Sequence, residues 1–232
     1  MNGYNNITEK TMMYKSKEKI QVGDFVRKLG QERRQKALLH YLGVIGALVG
    51  VALLFNVLGT SGLGILFYVG GFVGAYYLYS NGNKLMRRAT DAHRGAKAEN
   101  EVAKELTLLE RKQWQLEYNL PIQRWGDADV VLRSPRGRWY VIDVKSHKGT
   151  KVYEDGRLKK RFGHNIYDFQ EGDIIAKVKG QAAAVAREKG ASWVTPLLCF
   201  TQSNIDIPGN QAKGVHIVAK NDLINTLLRL ER

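Results

Sequence analysis

No Asp, Glu, Lys or Arg occurs between Lys36 and Lys84, although the 232-residue chain carries 36 Lys+Arg and 22 Asp+Glu. All charge therefore sits outside a stretch of 47 residues, numbers 37–83. A chain divided in this way does not form one uniform globule. Residues 37–58 are almost wholly apolar, Gly59-Thr60-Ser61-Gly62 is a turn signal, and a second apolar run covers 63–79. A helix rises about 1.5 Å per residue, so about 20 residues cross the hydrocarbon of a bilayer. Two such runs with a short turn predict a helical hairpin whose ends lie on one side.

The flanks predict which side. Arg27, Lys28, Arg33, Arg34 and Lys36 precede the first run, and Lys84, Arg87, Arg88 and Arg94 follow the second. The turn has no basic residue, so both termini are expected in the cytoplasm. Tyr41 at one end of the segment and Tyr76, Tyr77 and Tyr79 at the other match an interfacial aromatic belt. Gly46 and Gly50, and Gly70 and Gly74, are four apart, the spacing at which small residues let helix backbones approach. Residues 1–36 hold nine basic and four acidic side chains and read as a basic arm, either partly disordered or with residues 25–36 as a helix on an anionic lipid surface. The first 36 residues are too polar, and the apolar stretch too late and too long, for a secretory signal.

From residue 81 onward there are 27 basic and 18 acidic residues, a net of +9. Residues 81–92 read as a linker and 93–232 as a water-soluble α/β domain. The lone Cys199 excludes an intrachain disulfide and reads as a core residue. Residues 92–109 have helical periodicity, with Glu99, Val102, Leu106 and Leu109 on one face. A carboxylate on an apolar stripe needs a partner such as a cation. Glu101 and Glu105 fall on other faces and are expected in solvent.

Two β-rich runs, 126–132 and 139–145, flank Ser134-Pro135-Arg136-Gly137 and predict an antiparallel hairpin. A three-residue loop with Gly137 left-handed sets Ser134 opposite Arg138, and therefore Asp129 opposite Asp143. Asp143 and Lys145 share a face. Like carboxylates side by side are unfavourable unless a cation joins them, so the register predicts a metal site. Asp127 is the rival for Asp129 and is placed second.

An Asp, then Asp-x-Lys on a hairpin, with a Glu on the preceding helix, resembles the PD-(D/E)xK nuclease superfamily. More narrowly it resembles the nuclease-related domain (NERD) family. That family's Gly-x-x-Gly-Glu-x-x-Val reads Gly95-Ala96-Lys97-Ala98-Glu99-Asn100-Glu101-Val102 here, with Ala for the second Gly. Its Gly-Asp-Ile-Asp-His reads Gly126-Asp127-Ala128-Asp129-Val130, without the His, and its Glu-x-Lys reads Asp143-Val144-Lys145, followed by Gly149. Gln181, on a helix expected over 173–189, matches a Gln that many such nucleases place near the site.

The resemblance implies a restriction-endonuclease-like mixed sheet flanked by helices, over about residues 93–220, and hydrolysis of phosphodiester bonds. Glu99, Asp129, Asp143, Lys145 and Gln181 are the implied site. Asp129, Asp143 and the Val144 carbonyl would hold Mg²⁺ or Mn²⁺, with Glu99 bound through water or holding a second ion. The ion would stabilise charge on the phosphate and lower the pKa of the attacking water. Lys145 would orient or help deprotonate that water and offset charge in the transition state.

Nucleic acid, DNA ahead of RNA, is the implied partner, alongside the lipid bilayer, with room for self-association. Lys148, Lys151, Arg157, Lys159, Lys160 and Arg161 form a basic run suited to phosphates. Tyr153, Phe162 and Tyr167 interleave and suit base stacking. A solvated loop is the plainer reading of that run. His147 and His164 lie nearby, with surface or structural roles ahead of chemical ones. Residues 209–211 read as a loop, 215–218 as a strand, and Asn221 as the N-cap of a closing helix over 222–230. A membrane-tethered binding module that keeps the fold without turnover is the alternative.

Overall fold

The computed structural model describes the backbone from Tyr4 to the C-terminus and side chains from residue 29 onward. Most of the basic arm, including the start of its expected surface helix, thus lies outside the residues whose side chains are described. The chain divides into two units, Met1–Ala96 and Lys97–Arg232.

The first unit is a pair of helices. Helix α1 runs Tyr4–Leu58, and α2 starts at Gly62 and continues to Glu110. Residues 81–92, read as a linker, are therefore helical. They contain no proline, and Leu, Met, Arg and Ala at 85–89 favour continued helix. Leu29–Leu58 and Gly62–Glu110 are each long and apolar enough to cross a membrane. Their large apolar side chains point outward, with Val57 80% and Leu66 72% exposed.

The glycines that bring the two helices together are not those expected. A Cβ on Gly46, Gly50, Gly70 or Gly74 would meet nothing within 4 Å. A Cβ on Gly71 would lie 2.3 Å from Val51 Cγ2, and one on Gly82 2.9 Å from the Tyr41 ring. Spacing of four identifies a helix face but not which of several glycine faces meets the partner. The Tyr41 hydroxyl donates to Asn83 Oδ1 at 2.8 Å, and its ring lies 6.3 Å from that of Tyr79. At the turn, Tyr68 donates to the Gly59 carbonyl at 2.6 Å, and Ser61 Oγ accepts from Gly64 N–H at 3.2 Å.

The second unit is a mixed α/β fold. Strands β1 (Gln115–Ile122), β2 (Gly126–Arg133), β3 (Trp139–Lys145), β7 (Val194–Phe200), β10 (Val215–Ala219) and β9 (Gln211–Ala212) make a six-stranded sheet in the order β1-β2-β3-β7-β10-β9. The β3–β7 and β7–β10 pairs are parallel and the others antiparallel. Helix α3 (Ile174–Lys189) buries Ile174, Ile175, Val178, Ala182 and Val185 with Val131, Val141 and Leu198 of one sheet face. The end of α2 and helix α4 (Leu223–Leu230) bury Val102, Leu106, Leu109, Leu223 and Leu227 with Leu132, Ile142 and Cys199 of the other. Alternation along β3 feeds both faces, so its residues 140–144 are all buried.

A second sheet, in the order β6-β5-β4-β8, is formed by β4 (Thr150–Glu154), β5 (Arg157–Phe162), β6 (Asn165–Tyr167) and β8 (Ile205–Asp206). The basic run, apart from Lys148, is thus strand rather than loop. Its turn, Asp155-Gly156, has both residues at positive φ, the backbone that a two-residue hairpin requires. Residues 208–210 form a single 3₁₀ turn and Gln211 begins β9. Asn221 sits inside a 3₁₀ turn, Lys220–Asp222, and Asp222 precedes α4 without a side-chain cap. The 3₁₀ turn takes the place of the cap by bringing the chain into helical dihedrals one residue early.

Candidate active site

The β2–β3 hairpin has the register expected. Arg133 pairs Trp139 and Val130 pairs Ile142, so Asp129 stands opposite Asp143. Ser134 N–H donates to the Arg138 carbonyl at 2.8 Å, Gly137 N–H to Ser134 O at 2.9 Å, and Gly137 has φ 82°.

Hydrogen-bonded and non-bonded pairs alternate along an antiparallel ladder. Counting from Ser134 and Arg138, Val144 N–H should donate to the Ala128 carbonyl. It donates instead to Asp129 Oδ2 at 2.6 Å, and β2–β3 pairing ends at Val130. The break shows on the other edge too, where β1–β2 pairing skips residue 129 opposite Asn119, which has φ 53°. Ala128 and Val131 pack with α3, whereas Val130 and Leu132 pack on the opposite face. A kink at Asp129 therefore turns a strand carboxylate inward onto the β3 backbone.

Asp143 is 1% exposed and holds two cations. Lys145 Nζ lies 2.8 Å from Oδ2, and Lys177 Nζ on α3 donates to Oδ1 at 3.0 Å. Burial works against the Lys145 charge, but Asp143, with Glu171 and Asp129 beyond it, raises its pKa above the usual value. Lys145 is an ammonium here. Asp129 is pushed up to about 7, by burial first and then by the charges of Asp143 and Glu99, against the Val144 hydrogen bond and Lys145. Glu99, half-buried on α2, is also raised by burial, with Lys145 opposing and Asp143 and Asp127 adding. Asp127 is exposed and acts on Glu99.

Glu99, Asp129 and Asp143 thus repel one another even with Lys145 and Lys177 against Asp143, and a divalent cation would relieve that repulsion. The donor chemistry, strand carboxylates and backbone oxygen, suits a hard ion. Among the described residues no three acids, histidines or cysteines converge closely enough to enclose one. Lys145 and Lys177 each occupy one oxygen of Asp143.

Gln181 is fully buried and donates from Nε2 to the Asp127 carbonyl at 2.8 Å. Its Oε1 has no partner. Gly180 beside it lies against Trp125, where a Cβ would come within 2.3 Å of the indole. Gln181 therefore ties α3 to the kinked start of β2.

The basic run does not act as one patch. Lys151 is fully buried, not surface-exposed as expected of a phosphate contact. Its ammonium donates to the carbonyls of Lys148 and Gly149 at 2.9 and 3.0 Å and lies 4.8 Å from the centre of the Phe200 ring. Burial and the nearby Lys160 lower its pKa to about 8. Strand alternation turned this one basic side chain into the core, where aromatic faces and carbonyls take the place of water. Lys159 pairs with Asp155 at 2.5 Å and Arg161 with Asp206 at 2.6 Å. Lys160 lies over Phe169 at 5.1 Å, and Lys148 and Arg157 are exposed. Phe162 and Tyr167 are exposed and meet edge-on at 6.1 Å, while Tyr153 is half-buried against the core.

Lys177 and Glu171 are site residues that the sequence did not single out. Lys177 precedes Gln181 by one helical turn, so i,i+4 spacing was a usable signal. Glu171 lies in an irregular segment with no period to place it. It sits 3.0 Å from His147 Nε2, which lowers its pKa by hydrogen bonding, against burial. His164 is exposed. Glu101 and Glu105 are not simply solvated, since Lys220 lies 3.1 and 3.8 Å from them. Gly149 has φ 83°, and a Cβ there would stand 2.8 Å from the Arg161 carbonyl, so only glycine fits where β4 begins.

Residues 94–201 match the family model described as the nuclease-related domain, NERD. Neither the curated proteins nor the solved structures searched give a match. The matched segment takes in Glu99, the kinked β2–β3 hairpin, Lys177 and Gln181, and it is a nuclease-related domain of the NERD family.

Proposed function

We propose that the chain is a membrane-anchored nuclease that hydrolyses phosphodiester bonds of nucleic acid, DNA ahead of RNA, with Mg²⁺ or Mn²⁺. What carries the reading is Asp129 turned against Asp143 at the end of a parted ladder, with Lys145 beside them, inside a nuclease-related domain.

Asp129 and Asp143 would hold the ion, with Glu99 in support. When bound, it would supply positive charge to the phosphate and to the attacking water. Water attacks phosphorus and the phosphorus–oxygen bond to the leaving sugar breaks; the water proton passes to a site carboxylate or to solvent, and the leaving oxygen takes a proton from solvent. Lys145, beside Asp143, would orient or help deprotonate that water and offset charge building on the phosphate. Gln181 holds the backbone at Asp127 and keeps the kink in place. Of the basic run, Lys148 and Arg157 are exposed and would meet backbone phosphates. Exposed Phe162 and Tyr167 offer stacking faces. The apolar helices would lie in a bilayer with both basic flanks, and the nuclease-related domain, in the cytoplasm.

The double lysine clamp on Asp143 favours a second reading, a nucleic-acid or protein binding module without turnover. The two separate in one assay. Purified full-length chain in detergent is given single- and double-stranded DNA and RNA with Mg²⁺, Mn²⁺ or EDTA. Metal-dependent cleavage lost in Lys145→Ala supports the nuclease; binding without cleavage of any form leaves the module.

A further inference from the structure

The turn before β2 and helix α3 border an open cavity of about 720 Å³, inside the range of about 300–1,000 Å³ usual for small-ligand clefts. Gln123, Arg124, Trp125, Gly180, Ala183 and Arg187 line it, two cations and no acid. Gly180, Ala183 and Arg187 fall at i, i+3 and i+7 and share one face of α3. Trp125 N–H donates to the Ile122 carbonyl at 3.2 Å and closes the turn. A Cβ on Gly180 would lie 2.3, 2.4 and 2.7 Å from three atoms of the Trp125 ring, so the indole rests on bare helix backbone. Arg124 has φ 75°, a region that side-chain-bearing residues rarely adopt and that clusters at functional sites. Arg124 and Arg187 are exposed, and neither guanidinium has an ion pair or hydrogen bond among the described residues.

We propose that this cavity is a nucleotide subsite for single-stranded nucleic acid, with a base on the Trp125 indole and its phosphate between Arg124 and Arg187. Its choice of partner rests on the nuclease reading. A base of any identity offers a π-face to an indole, and a guanidinium fork matches phosphate oxygens. A base paired inside a duplex cannot reach the indole, so the strand is single or opened there. Position favours a strand over a free nucleotide. Gln181 Nε2 lies 2.8 Å from the Asp127 carbonyl and 3.5 Å from that of Trp125, so one buried side chain holds both the cavity wall and the start of β2. Trp125 and Asp129 are four residues apart, at most about 14 Å of chain. A stacked strand rising about 3.4 Å per nucleotide covers that in about four nucleotides. The subsite thus selects unpaired strand and sets which phosphodiester reaches the acids.

Binding is measured on the full chain in detergent, with EDTA throughout so that nothing is cut. The probes are a labelled oligodeoxythymidylate of about 15 nucleotides, the upper end of ordinary single-strand site sizes, an abasic oligomer of the same length, and thymidine monophosphate. Trp125→Leu is expected to weaken thymidylate binding about fivefold or more and to leave abasic binding unchanged. Arg124→Gln and Arg187→Gln are each expected to lower the salt slope by about 0.7, one phosphate contact on a single strand, and Arg187→Lys to keep it. Thymidylate is also expected to quench the parent's tryptophan fluorescence, and to quench it less in Trp125→Phe, which keeps an aromatic ring in place.

Equal effects of Trp125→Leu on both oligomers, or equal quenching in parent and Trp125→Phe, overturn the stacked base. Unchanged salt slopes overturn the phosphate contacts. Monophosphate bound as tightly as the oligomer overturns the strand. Any of these beside metal-dependent cleavage sinks the subsite and leaves the nuclease reading; binding through the cavity with no cleavage in Mg²⁺ or Mn²⁺ does the reverse.

Discussion

The hairpin and the nuclease-related domain place their exceptional residues in opposite ways. In the hairpin, large apolar side chains such as Leu39, Val57 and Tyr76 face outward, and the helices meet where a side chain is missing, at Gly71 and Gly82. In the domain, apolar side chains are inside, and the exceptions are charges drawn in with them: Asp143 and Lys151. In a bilayer, exposed apolar surface would carry no penalty, and backbone proximity would decide the hairpin packing. Buried charge carries a large penalty in any apolar interior, so partners decide the domain. The two halves of the contrast fail under different substitutions.

The largest effect is expected at Asp143. Asp143→Ala leaves Lys145 and Lys177 facing each other without their carboxylate. Removing one partner of a buried ion set costs about 3–5 kcal/mol. Nuclease activity is expected to fall about 10³-fold or further, as when a group acting in the transition state is lost. Thermal unfolding and a cleavage assay read the two effects. A stable Asp143→Ala protein that still cuts would break the domain half of the contrast.

Next comes Gly71. Its Cβ position is 2.3 Å from Val51 Cγ2, so Gly71→Ala forces the helices apart at a cost of about 1–3 kcal/mol. Ala at Gly46, Gly50, Gly70 or Gly74 meets nothing and is expected within about 0.5 kcal/mol of the parent. Unfolding in detergent, followed by fluorescence of a probe pair across the two helices, separates the groups. Equal effects at all five glycines would mean that the helices pack on another face.

That glycine choice marks where sequence ran out. The 47-residue gap in charge located the hairpin because hydropathy is a local property. Which glycine meets Val51 depends on the rotation of one helix about the other, and a repeat of four residues fits several rotations. In the domain, Gly137 fixed the register of β2 and β3, and with it the pairing of Asp129 and Asp143, through a turn only a few residues away. The helix over 174–189 was legible from its period, though Asp173, read as its first residue, is its N-cap. The kink at Asp129, the burial of Lys151 and the reach of Lys177 were not. Each depends on a side chain from a distant strand or helix, and no local period encodes it. Strand β1 escaped for a related reason: Pro121 and left-handed Asn119 interrupt its alternation.

The acid site also gives the domain a pH response. Asp129 in the folded protein keeps its proton up to about pH 7, whereas the unfolded chain loses it near the ordinary 3.8. Between those values the folded state binds more protons. Stability from this group is therefore full below about pH 4 and is lost as pH rises through about 7. In EDTA the domain transition should fall in Tm across that window. Asp129→Asn should flatten the fall, and Mg²⁺ should restore the Tm at the upper end. A Tm that rises from pH 4 to 7, equally in parent and Asp129→Asn, would remove the repulsion among Asp129, Asp143 and Glu99 from the account.

The smallest effect compares one helix start in each region. Asp173 caps α3 by accepting from Ala176 N–H at 3.0 Å, and Ser61 caps α2 by accepting from Gly64 N–H at 3.2 Å. Both satisfy one of the amides that a helix leaves open at its start. Asp173→Ala should cost about 1 kcal/mol, since water can replace the lost acceptor. Ser61→Ala should cost the same if the hairpin turn reaches water on the far side of the bilayer, and about 1–3 kcal/mol if lipid surrounds it, because the amide would then stay unpaired. The comparison of the two alanine variants, each by thermal unfolding in the same detergent and then in bilayers, reads the depth of the turn directly. Equal costs in bilayers place residues 59–62 in water; a larger Ser61 cost confined to bilayers places them in hydrocarbon.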